Sequence, residues 1–248
     1  MKPIEIFKYT NWKPFEYLGI HGNFYSIHAE TIISTWVVLG IILVAAIVSR
    51  HFLKKQVGVG NYLVVSFGQT FIDLCNQILG NFKYKYFAFI TSIFCFILLC
   101  NCISLIPWLD EPTQDLNTTV AMGIIAIAYT HIQSVKVHGL WEYIKEYFSP
   151  FILMFPLNIV GKLANVVSIS FRLFGNIFGG AIISQIYHNA VEGSILLESI
   201  GILSTLDITV KVFFGLFEGF IQAFVFSMLT LTYLSVAIQK DTVEKGNV

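Results

Sequence analysis

Along the chain, charge disappears from five stretches. Residues 31–49, 86–109, 116–135, 173–191 and 219–239 contain no Asp, Glu, Lys or Arg. Each runs to about 19–24 residues, the length of helix that crosses ~30 Å of hydrocarbon. The pattern predicts an all-α, polytopic membrane protein with about five membrane-embedded helices. Segment 61–82 differs in kind. Its apolar residues Leu63, Val64, Phe67, Phe71, Leu74, Ile78 and Leu79 recur at helical spacing, with Gln69, Asp73, Asn76 and Gln77 between them. That spacing predicts one amphipathic helix lying in the membrane interface.

The last two passes are longer than a bilayer needs. Leu157 to Val191 is about 35 residues, or ~52 Å of helix at 1.5 Å per residue, against ~30 Å of hydrocarbon. The segment from about 206 to 239 carries the same excess. No proline interrupts 157–239, so two long tilted helices, packed as a hairpin, are expected rather than broken ones. The chain then reads as a single membrane domain over 1–248. It comprises an N-terminal segment 1–30, a first span 31–49, the interfacial helix 61–82, a hairpin 86–135 and the long hairpin 150–239.

Composition narrows the class. The chain is 56% hydrophobic and 12% charged, with a mean hydropathy of +0.73. A soluble domain has about 25% charged residues. A soluble enzyme, a nucleic-acid binder and a disulfide-stapled secreted module are excluded. Formal net charge is zero, so no electrostatic partner follows from the total. The first thirty residues mix Lys2, Lys8 and Lys13 with Glu5, Glu16 and Glu30 and have no apolar run, unlike a cleavable signal peptide. Cys75, Cys95, Cys100 and Cys102 sit in or beside apolar stretches and read as small core residues. Cys100-Asn101-Cys102 is a poor metal spacing, so no metal or other cofactor is expected.

Charge placement orients the chain. Arg50, Lys54 and Lys55, Lys83 and Lys85, Lys136 and Lys145, and Lys240 and Lys245 fall in four hydrophilic stretches. The stretch 108–117 holds Asp110, Glu111 and Asp115, and 187–207 holds Glu192, Glu198 and Asp207, without a basic residue in either. Basic loops stay cytoplasmic. The expected topology places the N-terminus outside, 50–85 inside, 108–117 outside, 136–149 inside, 192–207 outside and the C-terminus inside.

Lys162, Arg172 and Glu218 interrupt apolar stretches, and a charge within the membrane is costly enough to be a functional candidate. Each has a plainer reading. Lys162 lies near a helix start and can snorkel to the inner surface. Arg172 can pair structurally within the bundle, and Glu218 can bind hydroxyls or amides. Arg172 has notable neighbours. Asn176 is one turn on, and Gly175 and Gly179 form a small-xxx-small strip on nearly the same face, which lets another helix approach closely. An arginine cannot lose its proton in a protein. A permanent cation on such a face attracts a carboxylate and blocks ions of its own sign, as a gate between two ion compartments would.

The run Ser170-Phe171-Arg172-Leu173-Phe174-Gly175-Asn176 resembles the signature of the a subunits of F-type ATP synthases, bacterial type. Further ordered matches lie at Asn101–Pro107, Pro112–Thr119, Val135–Gly139, Phe155–Asn158 and Ile221–Phe226, the last continued by Leu229-Thr230 and Tyr233-Leu234. The resemblance covers residues 30–238. It implies two half-channels through which protons, with sodium as the alternative, reach and leave carboxylates on a rotating ring of small hairpin subunits. The arginine matching Arg172 keeps the half-channels apart, and Asn176 and Gln222 match polar residues at the ring contact. Gly175 and Gly179 would face the ring. A peripheral-stalk subunit, the lipid bilayer and, indirectly, a soluble head would be the other partners, in the bacterial inner membrane. The chain would not be an enzyme, because nucleotide chemistry would occur on other chains; it has no P-loop.

Three positions depart from the family pattern. Ala181 stands where many relatives have Glu, Lys162 where several have an acid, and Ser104 where some have Asp. Glu218, one turn before Gln222, is the candidate replacement for the missing acid, since a carboxylate can take up and release protons as a relay requires. His188, Glu192, Asp115, Asn101 and Ser104 are candidates for the access path. The competing classes are a stand-alone secondary transporter, which would favour paired internal repeats, and a non-conducting scaffold. No repeat is evident.

Overall fold

The computed structural model describes residues 11–12, 27–55, 58–80, 82–106, 111–148, 151, 153–191, 209–210 and 212–239. Two short strands, β1 (Asn11–Trp12) and β2 (Ile27–His28), pair antiparallel with Asn11 opposite His28. Among the described residues, everything else that is regular is helical. The helices are α1 (Ala29–Lys54), α2 (Val59–Leu79), α3 (Tyr84–Cys102), α4 (Leu116–His138), α5 (Leu140–Phe148), α6 (Met154–Val191) and α7 (Gly219–Gln239). A π-helical segment, Val212–Glu218, runs directly into α7.

Among the described residues, five segments are long and apolar enough to cross a membrane: Glu30–Lys54, Tyr84–Cys102, Leu116–His138, Phe155–Tyr187 and Val212–Ile238. They are the five expected passes. The 38 residues of α6 span about 57 Å, so the helix must incline steeply or emerge from ~30 Å of hydrocarbon. The N-terminal segment and residues 192–208 lie almost wholly outside the described residues.

Packing places the spans in a row. α7 lies between α3 and α4, and α4 separates α7 from α6. The core runs along these seams, through Tyr86, Ile90, Phe94 and Ile97 of α3, Ile169, Leu173 and Ile177 of α6, and Ala223, Phe226, Leu231 and Leu234 of α7. The expected mutual packing of the two long helices is therefore only partial. α6 and α7 touch little, and α6 meets the π segment where Gly180 abuts the Phe214 ring. A Cβ at Gly180 would lie 2.8 Å from that ring.

In lipid no hydrophobic driving force acts between helices, so small and polar residues carry much of the association. Gly123 of α4 faces Ser170 of α6 so closely that a Cβ there would collide with the serine hydroxyl. Ser134 Oγ donates to the Ala237 carbonyl (3.1 Å), and Ser235 Oγ donates to the Ile78 carbonyl (2.8 Å). Lys85 Nζ donates to Gln133 Oε1 (2.7 Å), tying the start of α3 to α4.

The interfacial helix spans Val59–Leu79, not 61–82, because Gly80 adopts φ 70° and its N–H closes on the Asn76 carbonyl. That is the left-handed stop that glycine makes without steric cost. Phe71, Cys75 and Leu79 bury its inner stripe, and the Phe71 ring packs tilted against Phe94 with centroids 4.9 Å apart. Burial pushes the Cys75 thiol above its ordinary pKa, so it is an inert packing residue. α5 was not foreseen: residues 136–149 read as a polar inner loop. Gly139 at φ 86° reverses the chain after α4, and the short amphipathic helix that follows carries Tyr143 and Tyr147 back over α6.

Candidate membrane-embedded site

One face of α6 is built from small residues. Gly161, Ala164, Ser168, Gly175 and Gly179 recur at steps of three, four or seven, with Arg172 among them. All are exposed except Gly179, which is half-buried. A Cβ added at Gly161, Gly175 or Gly179 would meet nothing. The opposite face explains why. Ile169, Leu173 and Ile177, four residues apart, are buried in the core, so helical geometry turns Arg172 outward. No carboxylate among the described residues pairs with it. Asn176, one turn on, is half-buried, and its Nδ2 atom is buried without a hydrogen-bond partner. Within this chain, then, the face presents a fixed cation, a smooth track and an unsatisfied amide donor.

The acid and the glutamine of the last pass are treated differently. Gln222 is buried and Glu218 is half-buried. Glu218 closes the π-helical segment, and Gln222 follows four residues later within α7. Asn101 comes close to this junction. Its amide Nδ2 donates to the Gly219 carbonyl (3.2 Å), and its Oδ1 accepts from Thr113 Oγ1 (3.2 Å). A Cβ at Gly219 would sit 2.7 Å from Asn101 Cβ, so only glycine permits the approach. Asn101 is thus a buried clamp beside Glu218. Asp115 caps α4 by accepting from the Asn117 N–H (3.0 Å), a role that the access-path reading did not include. Ser104 lies in a short 3₁₀ turn and His188 near the end of α6, but their side chains, and Glu192 altogether, lie outside the described residues.

Thr113 and Gly219 are site residues that sequence reasoning missed. Their importance comes from contacts across 12 and 118 positions, which no local pattern carries.

At the end of α6 expected to face the cytoplasm lies a cavity of about 140 Å³, lined by Thr130, His131 and Ser134 from α4, Tyr143 from α5, Lys162 and Asn165 from α6, and Tyr233 from α7. Lys162 does not extend into open solvent. Its Nζ sits 3.7 Å from the ring centroid of Tyr147 and 5.1 Å from that of Tyr143. Tyr143 in turn reaches His131 Nδ1 (3.1 Å) and the Tyr147 hydroxyl (2.5 Å). Among the described residues no group of His, Cys, Asp and Glu could hold a metal ion.

A bundle of apolar spans with an unpaired arginine on an open face, a polar clamp beside a carboxylate and a polar cavity at one end defines a membrane subunit built to handle ions against a neighbour. The family model described as ATP synthase A chain matches residues 32–235. The sodium ion specific ATP synthase subunit a of Propionigenium modestum is 33% identical over 84% of this chain and 73% of its own length. ATP synthase subunit a of Moorella thermoacetica is 32% identical, covering 83% and 89% respectively. That of Syntrophobacter fumaroxidans is 33% identical, covering 91% and 94%. The chain belongs to the ATP synthase subunit a family. It is a multi-pass component of the membrane sector and serves as its stationary ion-channel subunit.

Proposed function

We propose that Arg172 is the barrier between two half-channels, one opening to each side of the membrane, through which the coupling ion reaches and leaves a ring of small carboxylate-bearing subunits. The observation that carries this reading is the exposed face of α6, where an unpaired Arg172 stands among Ser168, Gly175 and Gly179 with open space above the glycines. A guanidinium keeps its charge under all conditions. In a weakly polar interface it needs a carboxylate from outside the chain, and it repels any cation that would pass directly from one side to the other. Asn176 offers the same partner its unsatisfied Nδ2 donor.

Glu218 takes the relay role left open by Ala181, with Asn101 holding the adjacent Gly219 carbonyl so that the acid keeps its position. Gln222 completes the polar set. The chain itself performs no nucleotide chemistry; the soluble head does, coupled through the ring and held by a peripheral stalk. The basic loops put the N-terminus outside and the C-terminus in the cytoplasm of a bacterium. The coupling ion is the proton or, as the sodium specificity named for one relative suggests, sodium.

The decisive experiment exchanges Arg172 for Ala in the whole complex, reconstituted in vesicles. ATP-driven ion uptake should fall to background while head and ring still co-purify with the chain. Lys at this position should also fail or nearly fail, because it lacks the planar, delocalised head. Normal coupled pumping by Arg172→Ala would reject the assignment. Uptake measured with and without sodium at fixed pH identifies the ion.

A further inference from the structure

We infer that Glu111, in the outer loop, is a second acid of the ion path: it exchanges the coupling ion with the outer side and passes it to and from Glu218 past Asn101. The inference deepens the channel reading above and rests on it.

Three observations carry it. First, the loop folds inward and takes the acid with it. Its 3₁₀ turn, Pro112–Gln114, packs against α1, α3, α4 and α6, and Pro112 and Thr113 are buried. Glu111 opens the turn, its carbonyl accepting from the Gln114 N–H (3.0 Å). Loop acids normally stay in water, because burying a carboxylate is costly. Glu111 is half-buried, and its Oε2 atom is buried. Capping does not account for this, since the side chain does not cap the turn. Second, two acids are tied to one amide. Thr113, two residues after Glu111, donates to Asn101 Oδ1, and Asn101 Nδ2 donates to the carbonyl of Gly219, the residue after Glu218 (3.2 Å each). The Glu111 carboxylate also lies within electrostatic reach of Cys100 and Cys102, which flank Asn101 at the end of α3. Third, Glu111 lies on the outer side of the arginine. Gly123 meets Ser170, while Thr130 and His131 share a cavity with Lys162, so α4 and α6 run in opposite directions. The start of α4, seven residues before Gly123, is therefore about level with Ile177. The turn that carries Glu111 lies further out still, beyond Arg172.

The other titratable groups near this end of the elements around the turn, among the described residues, are Glu30 of α1, Cys100 and Cys102 of α3, Asp115 of α4 and Tyr187 of α6. Asp115 already caps α4. A proton taken from outer water makes Glu111 a neutral acid. Passing that proton to the Glu218 carboxylate returns Glu111 to its anion, so charge and protons balance at each step. A sodium ion is held and passed as the counter-ion of the same carboxylates. Every exchange is reversible. Losing one acid therefore slows loading and unloading by the same factor and leaves the driving force unchanged.

The test uses the complete complex in vesicles with the head outward, so that the lumen is the outer side. ATP-driven uptake is measured against bath pH and bath sodium, and synthesis, driven by an imposed gradient, against lumen pH and lumen sodium. Glu111→Gln should slow pumping and synthesis alike, by about tenfold or more. It should also change how synthesis depends on the lumen ion, while the dependence of pumping on the bath ion stays that of the parent. Glu111→Asp, which keeps an ionisable group, should regain most of the rate. Parent rates in Glu111→Gln overturn the inference, and so do lower rates that keep the parent's lumen dependence, the mark of a structural role. Either result leaves the channel reading standing where Arg172→Ala abolishes pumping. Pumping by Arg172→Ala overturns the reading beneath it.

If Glu111→Gln does not assemble, Glu111→Cys in a chain lacking the four native cysteines is labelled in the assembled complex before reconstitution. A thiol reagent that carries a carboxylate should restore rate and lumen dependence, and a neutral reagent of similar size should not. Equal effects of the two reagents would equally overturn the proposal.

Discussion

Arg172 and Lys162 are two cations ten positions apart on one helix, and the fold treats them oppositely. Arg172 projects from a smooth outer face, away from Leu173 and the core, toward space this chain leaves open. Lys162 is half-buried under the rings of Tyr143 and Tyr147, inside a cavity made by four helices. The difference teaches how to read charge within a membrane. A cation covered by its own chain is held by that chain's rings. A cation that its own chain leaves uncovered acts on a partner, since burial without a counter-charge would cost several kcal/mol.

The comparison is broken most completely by Arg172→Ala, described above, with coupled pumping falling to background. The next effect tests whether the open face is a contact with another chain. A Cβ at Gly175 meets nothing within this chain, so Gly175→Leu should leave the subunit itself to fold and insert normally. If a partner helix packs on the strip, the added bulk should cut coupled pumping by about tenfold or more and weaken co-purification of the ring. Unchanged pumping would mean that the face looks at lipid.

A smaller effect belongs to the last pass. Glu218→Gln preserves shape and hydrogen bonding but cannot ionise, so ATP-driven pumping and synthesis should slow together without uncoupling. Full activity in both directions across pH would leave Glu218 only a structural role. Gly219→Ala, one residue on, forces a methyl to 2.7 Å from Asn101 Cβ and should cost about 1–3 kcal/mol of stability, read as a lower melting temperature in detergent. The smallest effect tests the cover over Lys162. Tyr147→Leu removes the nearer cation–π contact and should cost about 0.5–1 kcal/mol, visible in the same melting assay. No change there would mean that the lysine is held by something other than the ring.

Much of this was legible without coordinates. The five passes follow from charge-free length, because a bilayer imposes one thickness and forbids unsatisfied backbone. The outward turn of Arg172 was half visible in Gly175 and Gly179, since a helix repeats its face every three or four residues. Asn101 was singled out as a path residue; its bonds to Gly219 and Thr113 add a clamp that was not legible, because a bond across 118 positions leaves no periodic trace. α5 stayed hidden because nine residues are too few to announce a helix.

By itself, then, the sequence determined the solvent, the number of membrane passes, the orienting charges and the family, because each depends on local composition or on a contiguous motif. Tertiary structure alone decided which charges are covered. That α6 and α7 both lean on α4, meeting each other only near Gly180 and Phe214, depends on how closely backbones approach at Gly123 and Gly180. The same packing leaves room near the start of α6 for a cavity around Lys162 and none around Gly219. Such spaces are differences between surfaces of separate helices, and they come into existence only when the helices meet.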